Sequence, residues 1–181
     1  MNVRETHLKG CFIIEPTVFK DNRGYFFESF NTKNLNEALK KNINFVQDNQ
    51  SYSYRGVIRA IHYQTGEYAQ AKLVRVLSGK VLDVAVDLRQ DSPTFGQYVA
   101  VELSAENKKQ LFIPKGFGHG FSVLSETAEF FYKCDNFYNK DSEGGVIYND
   151  PRLNIDWQLP YDEIKVSKKD LELPVLENAR L

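Results

Sequence analysis

Histidine is scarce in this 181-residue chain, which has only His7, His62 and His119. Cysteine is scarcer still, with Cys11 and Cys134 alone. Two cysteines cannot build a secreted disulfide scaffold, and without a CxxC pair there is no zinc ribbon or dithiol motif. Both are expected to be reduced, buried thiols. No charge of one sign prevails: 23 Lys and Arg meet 24 Asp and Glu, for a formal net charge of -1. No basic field exists to hold nucleic acid or an anionic membrane, so neither is expected as a partner, and any anion must be met by a local cluster of Arg and Lys. No apolar run exceeds four residues, too short for a transmembrane helix. The N-terminus, MNVRETHLKG, lacks an apolar signal region and reads as a mature cytoplasmic protein. Repeats, low-complexity tracts and Pro/Ser linkers are also missing, so a single domain over residues 1–181 is expected.

What the chain does have is aromatic residues, 13 Phe and 10 Tyr, and a hydrophobic period of two. In KVLDVAVDL, Leu82, Val84, Val86 and Leu88 share one face, and Val81, Asp83, Ala85 and Asp87 the other. In AKLVRVL, Lys72 shares a face with Val74 and Val76. Ser78-Gly79 between these strands predicts a hairpin turn. Further strands are predicted in CFIIEP, GYFFESF, NFVQDNQS, GVIRAIHYQ, GQYVAVEL, KQLFIP, HGFSVL and AEFFYKCDNFY. Only residues 31–41, with Leu35 and Leu39 four apart, and a stretch near 161–173 read as helical. About ten short strands separated by turns predict an antiparallel β-sandwich or barrel, between which strand order alone does not choose.

Chemistry narrows to few residues. His7 lies in a polar stretch and reads as a surface residue. A histidine on a strand is ordinarily a satisfied core or edge residue, but His62 shares its alternation with Gln64 among small and apolar neighbours. An interior that accepts them must satisfy their hydrogen bonds, as a ligand cavity does. Lys72 on an inward face needs a charged or polar partner for the same reason. Tyr132 and Tyr138 alternate with Phe130 and Cys134, so one cavity would hold an imidazole, an ammonium and a phenol on apolar walls. Arg59 is embedded in the His62 strand; three residues apart, the two would face opposite sides unless the strand bulges near Ala60. Pro114-Lys115-Gly116-Phe117-Gly118-His119 fits PxGxxH and resembles the second half of the cupin signature, in which a tight turn delivers a histidine to the barrel interior. Where that signature has its first metal ligands, this chain reads His62-Tyr63-Gln64. An amide is a poor transition-metal ligand, and an iron site of two histidines with Glu67 would need a spacing that nothing else supports.

FVQDNQS, VIRAIHYQ, AQAKLVRV, DVAVDLRQDSPTFGQ, LSAENKKQLFIPKGFGHGF, AEFFYKC and VIYNDPRLNIDW together resemble the dTDP-4-dehydrorhamnose 3,5-epimerase family, from RGYFFESF to SKKD. The resemblance implies a mainly β fold, a cupin-like antiparallel barrel of jelly-roll type with a few short helices. It implies neither metal nor other cofactor, a dTDP-linked 4-keto-6-deoxy sugar as substrate, and a homodimer with a shared active site. By motif, His62 resembles the catalytic base, Asp170 the carboxylate orienting it, Tyr132 the acid on the opposite face and Lys72 the group near the sugar C4 oxygen. Arg23, Glu28, Gln47, Asp48, Asn49, Arg59, His119, Tyr138, Glu143 and Lys169 resemble substrate contacts, with the Arg23–Glu28 segment reaching the partner subunit's site. The family usually has Gly where Ala60 stands, so the extra methyl is expected to shift the strand or narrow the pocket.

That chemistry suits these groups. A C4 ketone acidifies the C–H bonds at C3 and C5, because the carbanion delocalises into an enolate. Inversion then needs a base on one face and a proton donor on the other, and imidazole, with its near-neutral titration, suits the base. Related nucleotide-sugar reactions on one scaffold (C3-only epimerisation, 3,4-ketoisomerisation) and non-catalytic nucleotide-sugar binding are the competing readings.

Overall fold

Alternating patterns give fourteen strands in the computed structural model, which describes residues 1–181. In chain order they are β1 (Asn2–Glu5), β2 (Phe12–Glu15), β3 (Phe19–Asp21), β4 (Gly24–Phe26), β5 (Gln47–Tyr54), β6 (Val57–Gln64), β7 (Lys72–Ser78), β8 (Lys80–Asp87), β9 (Tyr98–Ser104), β10 (Gln110–Ile113), β11 (Phe117–Val123), β12 (Thr127–Cys134), β13 (Glu143–Gly145) and β14 (Lys165–Val166). The first sheet runs β1-β2-β10-β7-β12-β5 and the second β13-β6-β11-β8-β9, while β3 and β4 form a separate hairpin. All pairings are antiparallel except β14 alongside β6. Successive strands from β5 to β8 alternate between the two sheets, and β10 to β12 do so again. This is the jelly-roll route to a cupin-like barrel, and it resolves the choice that strand order left open.

Ser78-Gly79 is therefore not a hairpin. β7 pairs with β10 and β12, and β8 with β9 and β11, so the dipeptide is a corner at which the chain changes sheets. Turn residues mark a reversal or a corner equally well; which one depends on partners far away in sequence.

Three layers of apolar contact follow from the alternation. Val74, Val76, Val81, Ala85, Phe121 and Phe130 meet between the sheets. Leu82, Val84 and Val86, from the other side of β8, pack with Ile58, Ala60, Ile61 and Trp157 behind the second sheet. Leu35 and Leu39 of helix α1 (Thr32–Leu39) cover Leu73 and Phe112 behind the first. Asn31 caps α1 by accepting the Asn34 N–H at 3.1 Å. The predicted helix near 161–173 shrinks to α2 (Lys168–Leu171), because Lys165 and Val166 are taken by the sheet. The predicted strand AEFFYKCDNFY stops at Cys134, so Tyr138 lies in a loop and does not share the Tyr132 face. Both cysteines are free and buried, and His7 is exposed. No helix is long and apolar enough to cross a membrane.

Candidate active site

A bulge in β6 builds the site. Three steps along β6, from Arg59 to His62, oppose two along β11, from Phe121 to His119. The extra residue changes the phase of the alternation, so Arg59 and His62 line the same cavity despite their spacing. It also sends Ala60 to the layer behind the sheet, whereas strict alternation would have kept it beside His62. The Ala60 methyl thus does not line the pocket; it meets the strand opposite, where a Cβ on Gly120 would stand 2.6 Å from Ala60 Cβ. A side chain at 120 is excluded by the bulge itself.

The bulge frees the Ala60 N–H from the ladder, and Asp170 takes it at 3.4 Å. The same carboxylate holds His62 Nε2 at 3.2 Å. Asp170 arrives there because β14 runs parallel to the start of β6 and is followed at once by Ser167, whose hydroxyl caps α2 by accepting the Asp170 N–H. Burial alone would raise the Asp170 carboxyl, but hydrogen bonds from His62, Ser167 and the Ala60 N–H outweigh it and hold it below the usual range. His119, delivered by the PxGxxH turn in which Gly116 adopts φ +82°, sits directly across the ladder from His62.

The opposite wall comes from the first sheet. Tyr132 on β12 and Lys72 on β7 both line the cavity of about 870 Å³, with Lys72 Nζ 5.7 Å from the Tyr132 ring centroid. Burial raises the Tyr132 phenol, so it stays protonated at neutral pH. Burial pulls the Lys72 ammonium below the ordinary lysine range, and no carboxylate lies within ion-pair distance of it. Cys134, beside Lys72, accepts a long contact from Asn49 Nδ2 at 3.7 Å.

At the mouth, Glu143 accepts from Lys169 Nζ at 2.6 Å and from Tyr138 Oη at 3.2 Å. Gln47 holds the Tyr138 N–H at 3.2 Å, and Arg59 Nε donates to Ser53 Oγ at 3.2 Å. Gln64 also faces the cavity and accepts the Asn139 N–H at 2.8 Å. Three of the residues picked out by motif stand elsewhere. Asp48 points outward from β5 to Lys133 at 2.9 Å, because it alternates with the inward Gln47 and Asn49. Arg23, at the exposed β3–β4 turn, pairs with Asp21 at 2.6 Å. Glu28 accepts from Asn31 and Asn34 on the approach to α1. Glu67 is exposed and off the cavity wall, and no three His, Cys, Asp or Glu side chains are arranged to hold a metal ion.

Sequence reasoning missed Asp83 and Ser167. Asp83 is fully buried and holds His119 Nε2 at 2.8 Å. Its signal was present: a carboxylate alternating with Val81 and Ala85 on a strand apolar on both sides must have a buried partner. Ser167 has no comparable signal, since its role depends on the parallel pairing of β14.

Fold and cavity together define a cupin-like barrel carrying two imidazole–carboxylate pairs on one wall and an ammonium and a phenol on the other. The profile of the dTDP-4-dehydrorhamnose 3,5-epimerases matches residues 5–178, and the chain belongs to that family. It is an epimerase, of the isomerase class. It is 50% identical to the dTDP-4-dehydrorhamnose 3,5-epimerase of Salmonella typhimurium, over 100% of this chain and 98% of that one. The crystal structure of the enzyme from Elizabethkingia anophelis superposes with a TM-score of 0.95 at 56% identity, over 98% and 97% of the two chains. That of the Legionella pneumophila epimerase in complex with dTDP-4-keto-L-rhamnose gives 0.94 at 50% identity, over 98% and 93%.

Proposed function

We propose that this cavity inverts C3 and C5 of dTDP-4-dehydro-6-deoxy-D-glucose, giving dTDP-4-dehydro-L-rhamnose for dTDP-L-rhamnose synthesis. The observation that carries the reading is the opposition of His62, held by Asp170, to Tyr132 on the facing sheet of one cavity. His62 removes the proton beside the ketone. Asp170 keeps the ring oriented and balances the imidazolium that forms, as the third member of a triad does. Lys72 donates to the C4 oxygen as the enolate develops, a fixed donor in a partly dry site. Tyr132 returns a proton to the opposite face. The ketone supplies the acidity, so the route calls for no metal or redox cofactor.

The nucleotide and diphosphate serve as a handle, met by Arg59, Lys169, Glu143, Gln47, Asn49 and Tyr138 around the mouth, and their binding energy holds the ring between base and acid. The whole chain acts as one domain in the cytoplasm, and as a homodimer. Arg23 and Glu28 lie outside their own cavity, on and after a hairpin that exposes Phe19, Tyr25 and Phe26, which supports their reaching the partner subunit's site. Mixing inactive Arg23→Ala and His62→Asn chains is then expected to restore activity, toward a quarter of the parental level for random re-pairing, because one site in each mixed dimer carries neither lesion. Mixtures as inactive as their components would count against a shared site.

Incubation with substrate in D2O tests the reaction. Deuterium is expected at both C3 and C5 of the product by NMR. Label at C3 alone would identify a C3-only epimerase, a displaced carbonyl a ketoisomerase, and binding without label a non-catalytic module.

A further inference from the structure

The two imidazoles of the cavity are not equivalent. His62 is about a quarter exposed on its side chain (29%), but His119 only 7%, and its carboxylate partner Asp83 is sealed at 0%. His119 contacts Asp83 through Nε2 at 2.8 Å, and a carboxylate can only accept, so Nε2 carries the proton. The other ring nitrogen, Nδ1, has no protein partner, yet it is not among the polar atoms sealed from solvent, so it opens onto the cavity that His119 lines. Phe130 stacks on the ring at 5.8 Å between centroids and 25° between planes, which restrains its rotation. The second Asp83 oxygen is buried without a partner, a cost that a purely structural contact would not require.

We propose that Asp83 is a positioning residue: it holds His119 as the Nε2–H tautomer, so that Nδ1 faces the bound sugar as a hydrogen-bond acceptor for a hydroxyl beside the ketone. The inference rests on the epimerase reading above. Lys72, on the opposite wall, has only protons to give; His119 so held has only a lone pair. A donor on one wall and an acceptor on the other distinguish a carbonyl from the hydroxyl beside it, and this helps to set which C–H bonds face His62. The reverse tautomer would offer a second donor to the carbonyl and compete with Lys72 for it. Burial lowers the His119 pKa, against the pull of Asp83, which favours the singly protonated ring. The other charged groups acting on that ring are Lys72 and His62.

With only three histidines, the chain suits histidine-selective 15N labelling. In the parent near neutral pH, two-bond 1H–15N correlations are expected to show His119 as the Nε2–H tautomer. Asp83→Asn is expected to mix or reverse the tautomers and to lower kcat about 10- to 100-fold, the scale of one misdirected buried hydrogen bond, with KM changed far less. A role in folding alone would move Tm and leave the tautomer and the kcat of the folded variant alone. An Nδ1–H or doubly protonated His119 in the parent overturns the proposal, as does an Asp83→Asn enzyme with parental kcat. The parent measurement decides the matter even if the variant does not fold. Failure of the epimerase reading would show separately, as absence of deuterium uptake by the parent.

Discussion

His62→Asn is expected to lower the rate of epimerisation by about 10²- to 10⁴-fold, the usual contribution of a positioned general base. Asparagine reaches only as far as the place of ring Nδ1, so the Nε2 contact to Asp170 is lost, and the carboxylate keeps the Ala60 N–H as its partner. What goes with that contact is the lone pair that takes the proton. Deuterium uptake from solvent should therefore fall at C3 and C5 together, while dTDP binds as before, since the mouth residues are unchanged. Uptake persisting at either carbon at the parental rate would mean that a second base serves that position. The candidate for such a base would be His119, whose Nε2 is held by Asp83 and whose Nδ1 opens onto the same cavity.

Tyr132→Phe should separate two events that the parent couples. The substitution conserves the ring that packs near Phe130 and His119 and lies under Lys72, so only the hydroxyl is lost. Inversion is expected to fall by about 10²- to 10⁴-fold. Exchange should survive, because His62 can remove a proton and return a deuteron to the same face. NMR of recovered substrate would then show label with configuration retained. Parental inversion by the variant would remove Tyr132 from the donor role. Burial holds the phenol protonated, an effect added to by Cys134 and opposed by Arg59, so the donor is loaded across the neutral range and its loss cannot be repaired there by a change of pH.

Part of this site was legible because the chemistry is local. His62, Lys72 and Tyr132 each stand at a strand position whose alternation with small or apolar residues calls for an apolar group, and a barrel interior is where such polar groups are tolerated. The tension between Arg59 and His62 was visible too, and it located the bulge. Asp83 carried the same signal as Lys72, a charge alternating with valine and alanine, and was passed over because the strand is buried on both faces and neither could be named as inner. Asp48 resembled its neighbours Gln47 and Asn49 by motif, but strand alternation turns it outward. Tyr138 reaches the mouth from a loop beyond the end of β12.

Composition and periodicity by themselves determined that this chain is built of strands, without disulfides, without a spanning helix, and with its chemistry concentrated in two histidines and a few misplaced polar groups. Those are properties of a residue and its nearest neighbours. Only the tertiary structure decided that Ser78-Gly79 turns a corner, that Ala60 faces away from the cavity, and that Asp170, over a hundred residues from His62 in sequence, closes the pair. Strand pairing joins segments whose separation along the chain carries no local signature, so the partner of a buried group becomes known only when the sheets are assembled.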